Sequence, residues 1–213
     1  MIVHKISSLN FSNAEELDNA FESTEPQKVK YCNWAKEFPY APNVEFRIFH
    51  TGDFLFIRFY VQEECTAAII KNDNGNVWTD SCVEFFISPD EGKSYYNFET
   101  TCIGRMLLAH HLSREEAEYA STEILASVKR TPSLPRQNFQ EICGDNRWTL
   151  TLQIPPKALF KHQITTWDNA EASANFYKCG DNLSRQHFLS WAPIDTEKPD
   201  FHRPDFFQPL KFE

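Results

Sequence analysis

Apolar and polar positions alternate with a period of two along much of the chain. Val44, Phe46 and Ile48 are separated by Glu45 and Arg47, and after Thr51-Gly52-Asp53 the stretch 54–62 is rich in aromatic and β-branched residues. That pattern predicts a β-hairpin over 44–62. Asn72-Asp73-Asn74-Gly75 marks a turn, 81–88 reads as a strand ended by Pro89, and Asp90-Glu91-Gly92 leads into a strand over 95–104. Alternation returns over 148–154 and stops at Pro155-Pro156, while 174–179 and 187–191 flank Gly180-Asp181-Asn182 as a second hairpin. Ser113 followed by Glu116 is a capping-box pattern, so 114–120 predicts a short helix. Short strands with frequent turns and no strand-helix alternation predict an all-β chain, a β-sandwich of jelly-roll type with one or two short helices. Residues 1–42, punctuated by Pro26, Pro39 and Pro42 and carrying Trp34 and Tyr40, read as an N-terminal cover on one domain spanning 1–213.

Composition narrows the function classes. With 21 basic and 30 acidic residues the formal charge is −9, which disfavours a nucleic-acid or anionic-membrane partner. A 41% hydrophobic, 24% charged chain of 213 residues can bury a core without disulfides. The 19 Phe, 7 Tyr and 5 Trp favour strands and leave flat rings for ligands. Six scattered cysteines lack CxxC pairs and read as mostly free, buried thiols. The chain starts without a basic, then apolar, leader, which reads as cytoplasmic, or as secreted or periplasmic if a signal has been removed.

Catalytic motifs are sparse. No P-loop, GxSxG elbow or HExxH occurs. His110 and His111 are adjacent on a strand, so their side chains face opposite ways and suit one metal ion poorly. The 72–75 turn offers oxygens to calcium without the spacing of a calcium loop, so it reads as a plain turn, with a structural calcium ion as the alternative. No other cofactor is indicated. Glu84 and Glu99 lie mid-strand beside Val83, Phe85 and Phe98, so both point away from the core and share one outer face. Such carboxylates are either solvated, part of a binding face, or the acid pair of a glycosidase.

Within this frame, residues 77–87 (Val-Trp-Thr-Asp-Ser-Cys-Val-Glu-Phe-Phe-Ile) resemble the Trp-x-x-Asp-Ser-Val-Glu-x-Phe segment of family 9 carbohydrate-binding modules. Asn175-Phe176-Tyr177 with Ser190-Trp191, and the segment 201–207 before the last strand, are similar to later motifs of that family in the same order. The likeness runs from Val44 onward and is loose before it. The family consists of jelly-roll domains often attached to xylanases, whose members hold a sugar, often at its reducing end, between two indole rings. Carried over by position, the resemblance implies Trp78 and Phe201 as the two rings and Glu84, Asn97 and Glu99 as polar contacts. Phe at the second ring position, and Glu99 where Arg or Asn is usual, depart from the family. Trp34, Trp148, Trp167 and Trp191 read as structural.

The resemblance implies a non-catalytic module that binds a mono- or oligosaccharide in xylan or cellulose catabolism. The rival is a glycoside hydrolase using Glu84 and a second carboxylate; a third reading keeps the sandwich for protein interaction, with a degenerate sugar site.

Overall fold

The computed structural model describes residues 1–7 and 13–213. In chain order the strands are β1 (Ile2–Val3), β2 (Gln27–Lys28), β3 (Asn43–His50), β4 (Leu55–Ala68), β5 (Cys82–Ser88), β6 (Tyr95–Thr101) and β7 (Met106–His111). They continue as β8 (Ala117–Tyr119), β9 (Lys129–Pro132), β10 (Phe139–Ile154), β11 (Glu171–Cys179), β12 (Phe188–Ser190) and β13 (Gln208–Phe212). Two helices, α1 (Ala14–Glu22) and α2 (Thr122–Ser127), accompany them. One sheet runs β1-β13-β11-β5-β6-β7-β8 with β12 also on β11; the other runs β2-β3-β4-β10-β9. The chain is therefore the all-β sandwich that its alternation predicts.

Both hairpins form where the turn residues place them. Gly52 sits at φ 87° in the β3–β4 turn, a left-handed conformation open to glycine at no steric cost. The β11–β12 pair closes around residues 180–187, with Cys179 opposite Phe188. One expectation fails: 114–120 is not helical. Ser113 Oγ does accept from the Glu116 amide at 3.2 Å, but the turn it closes returns the chain as β8 along β7, with Ala109 opposite Tyr119. Pairing with an open sheet edge satisfies more backbone groups than one isolated helical turn could.

The inner faces pack ring on ring. Phe176 of β11 stacks on Phe46 of β3 at 3.8 Å and on Phe85 of β5 at 4.9 Å between centroids, tying the two sheets together. Trp34, Trp148 and Trp167 are buried as expected. Lys178 shares the inner face with Phe176 and reaches Glu63 of β4 at 2.8 Å, both side chains fully buried. Trp148 Nε1 and Thr66 Oγ1 donate to the other Glu63 oxygen at 2.7 and 2.9 Å. His187 donates through Nδ1 to the Arg185 carbonyl, so its Nε2 accepts from Lys178. Burial holds that imidazole well below its ordinary pKa, hence neutral.

The cysteines divide unequally. Cys82, Cys102 and Cys179 are free and buried and Cys32 is free and half-buried, whereas Cys65 of β4 and Cys143 of β10 form a disulfide. Sequence spacing could not reveal that pair, because the two residues are brought opposite each other only by strand register.

Removing one member of the interior ion pair leaves the other charge buried without compensation. Lys178→Met is expected to lower unfolding free energy by about 3–5 kcal/mol, and the double change with Glu63→Leu to recover much of it, in urea denaturation. An effect of Lys178→Met below about 1 kcal/mol would mean the pair does not carry this weight.

Candidate functional site

The outer face of the larger sheet is as important as the inner one. By the period of two, β5 presents Cys82, Glu84 and Phe86, β6 presents Tyr95, Asn97 and Glu99, β7 presents Leu107, Ala109 and His111, and β11 presents Tyr177 and Cys179. This face is not left to water. Trp34 and Phe38 from the N-terminal segment and Phe188, Ile194, Phe201 and Phe207 from the C-terminal one pack over part of it as a second apolar cluster. Where the cover stops, a cavity of about 470 Å³ opens onto the sheet.

Glu84, Asn97, Glu99, Leu107 and Cys179 form its floor, and Trp78, Phe201, His202, Asp181, Arg114 and Tyr119 are among the residues around it. All five residues that the sequence nominates, Trp78, Phe201, Glu84, Asn97 and Glu99, thus line one cavity. Trp78 rides on a single 3-10 turn (Val77–Thr79) fixed from behind. Asp80 accepts from the amides of Ile69 and Ile70, both at 2.8 Å, and Ser81 Oγ from the Ala67 amide at 3.2 Å. The Asp-Ser dipeptide therefore clamps the end of β4 to the start of β5, leaving the preceding indole half-exposed at the cavity edge. Phe201 is half-buried, one face stacked on Tyr177 at 4.2 Å and 8°, while the Tyr177 hydroxyl donates to the Phe201 carbonyl.

Glu84 and Glu99 are directly opposed across β5 and β6. The outer-face placement is as predicted, but the two are not solvated: they are 2% and 4% exposed. Burial, then repulsion by Glu99, pushes Glu84 well above the usual carboxylate range. Burial pushes Glu99 up to about 7, opposed by its bond with Asn97. Burial and repulsion thus favour the protonated form of Glu84 beside Glu99. Asn97 donates to Glu99 Oε1 at 2.9 Å and accepts from the Ala109 amide, and the Cys179 thiol donates to Glu84 Oε1 at 3.0 Å. Both carboxylates rise from one floor on neighbouring strands. A glycosidase pair instead flanks the scissile bond from opposite sides.

Among the described residues two trios could hold a metal by spacing, but in Cys65, Glu141 and Cys143 both sulfurs are spent in the disulfide. Ligand atoms of Cys82, Glu84 and Cys179 lie within 4.8 Å of one another, but burial raises both thiols, Cys82 to about 12, so an ion would have to displace tightly held protons. In the 72–75 turn, Asp73 takes the Met106 amide and the Arg130 guanidinium, and Asn74 Oδ1 takes the Leu108 amide. These oxygens pin the turn to β7.

Several cavity residues escape sequence reading. Asp181 appears there only as part of a turn and His111 only as a poor metal ligand, yet both line the cavity. The signal for His111 was the same outward alternation that marks Glu99, read one strand further on. His111 Nδ1 donates to the Ser113 carbonyl at 3.2 Å, and burial lowers its pKa, so it is neutral with Nε2 as a bare acceptor. His202, hydrogen-bonded to the Tyr95 hydroxyl at 2.9 Å, is driven to about 3 by burial.

A two-sheet sandwich with a polar, aromatic-rimmed cleft on one outer face is the architecture of a carbohydrate-binding module. The chain belongs to carbohydrate-binding family 9, whose profile matches residues 13–212. It is similar over its whole length to a protein of Bacteroides uniformis provisionally named as carbohydrate-binding, with 41% identity, a TM-score of 0.92 and 99% of that chain covered. Two structures of a family 9 module from Caldicellulosiruptor kristjanssonii share the fold. The complex with glucose has 11% identity, a TM-score of 0.58 and 95% coverage of that chain against all of this one. The cellotriose complex has 10%, 0.60 and 93%, again over all of this chain. No curated protein matches. Among the described residues no helix is long and apolar enough to cross a membrane.

The raised carboxylates make stability pH-dependent. A group that holds its proton more tightly when folded stabilises fully below its unfolded pKa, about 4.5, and loses that contribution as pH rises through its folded value, about 7 for Glu99. Denaturation midpoints are expected to fall between pH 4.5 and 8, and Glu99→Gln to flatten that fall. An equally steep fall in the variant would show that Glu99 is not the group responsible.

Proposed function

We infer that the protein is a non-catalytic module that binds a mono- or oligosaccharide, with one sugar ring held between Trp78 and Phe201 above Glu84, Asn97 and Glu99. The observation that carries this reading is the convergence of two rings from distant parts of the chain and three polar side chains on one cavity. A pyranose has C–H faces that rest on aromatic planes and hydroxyls at its edge that need polar partners. A cavity of about 470 Å³ suits a sugar unit with part of a neighbour. Water already satisfies the hydroxyls of the free sugar, so affinity falls at about micromolar to millimolar Kd.

The role extends to polysaccharide breakdown of the xylan or cellulose kind, since a family 9 module of Caldicellulosiruptor kristjanssonii takes glucose and cellotriose. A disulfide between Cys65 and Cys143 persists in an oxidising compartment, which favours a secreted or periplasmic setting over the cytoplasm.

Calorimetry or tryptophan fluorescence with xylose, glucose, xylobiose and cellobiose tests the reading. Saturable binding is expected, weakened by about tenfold or more, or 1.4 kcal/mol, in Trp78→Ala. Unchanged affinity in that variant, or silence across a broad glycan panel, would refute it. Turnover of aryl glycosides that disappears in Glu84→Gln would favour a hydrolase instead.

A further inference from the structure

Two acceptors on the cleft floor lack donors. Glu99 Oε1 is satisfied by Asn97, but Glu99 Oε2 is buried with no hydrogen-bond partner, in a side chain that lines the cavity. His111 Nε2, a bare acceptor because Nδ1 carries the proton to Ser113, is likewise buried and unpartnered in a cavity-lining residue. A buried acceptor left empty carries an unrepaid desolvation cost, so a ligand that brings donors gains by filling it.

Charge points the same way. Five acidic side chains line the space, from Glu84, Glu99, Glu115, Asp181 and Asp200, with Glu84 driven towards its neutral form by burial, against one guanidinium, Arg114. That guanidinium is already paired with Asp200 at 3.1 Å. The imidazoles of His111 and His202 are held neutral by burial. In a low-dielectric floor a carboxylate brought in by the ligand meets repulsion with no cation to offset it, while an ammonium finds a ready charge-assisted bond.

We propose that the cleft sorts sugars by charge, binding an amino sugar with a free ammonium more tightly than its neutral parent and rejecting the corresponding uronic acid. This rests on the sugar-binding reading above. The ammonium takes the place opposite Glu99 Oε2, and the ring hydroxyls serve His111 Nε2 and the remaining polar edge.

Calorimetry near neutral pH on the full chain, with glucosamine, glucose and glucuronate and the matching galactose trio, tests it. In the trio whose stereochemistry fits, the amine is expected to bind about tenfold tighter than the neutral sugar, and the uronate about tenfold weaker, each step equal to 1.4 kcal/mol. In Glu99→Gln the amine-to-neutral ratio falls towards one. Asp181→Asn, which alters the rim, lowers the same ratio by a smaller factor and keeps the test open if the floor variant does not fold. Equal affinities within a binding trio, or a uronate bound best, would overturn charge sorting while leaving sugar binding intact. Silence from all six sugars would overturn both.

Discussion

The register that sets Glu84 opposite Glu99 is the constraint on which the outer face depends. Like charges directly across a strand pair destabilise, and burial magnifies the effect. The protein keeps them there with burial favouring the neutral form of Glu84, a hydrogen bond from the Asn97 side-chain amide and another from the Cys179 thiol. A slip of one residue would turn both carboxylates into the apolar interior and bring Phe85 and Phe98 out. The same alternation that fills the core with phenylalanine thus fixes the cleft floor.

Strands β5, β6 and β11 are buried on both faces, and each face carries ionisable groups under different rules. On the inner face Lys178 and Glu63 neutralise each other at 2.8 Å, and Trp148 and Thr66 donate to the second Glu63 oxygen. On the outer face two acids oppose each other and one oxygen has no donor. The first arrangement is closed and serves cohesion between the sheets. The second is open on the side of the cavity, where a molecule with donors can complete it. Trp34 from the N-terminal segment and Phe201 from the C-terminal one lie 6.0 Å apart over this face, so both segments contribute to its apolar cover.

Much of this was legible in the sequence, for a physical reason. Period-two alternation is local, so the two hairpins and the outward direction of Glu84 and Glu99 follow from neighbouring residues alone. Depth of burial is not local: nothing near Glu84 announces that Ile194, Phe201 and Phe207 fold back over its sheet. The Cys65–Cys143 bond and the line-up of His111 and Asp181 around the cavity likewise arise from long-range register. The capping-box pattern at Ser113 and Glu116 was a true local turn whose continuation was decided by the free edge of β7.

The most direct measurement is a structure of the protein soaked at saturating concentration with the tightest-binding sugar. On this account the ring lies between Trp78 and Phe201 with a donor within hydrogen-bond distance of Glu99 Oε2. A sugar seated elsewhere on the surface, with that oxygen still unpartnered and both rings bare, would contradict it.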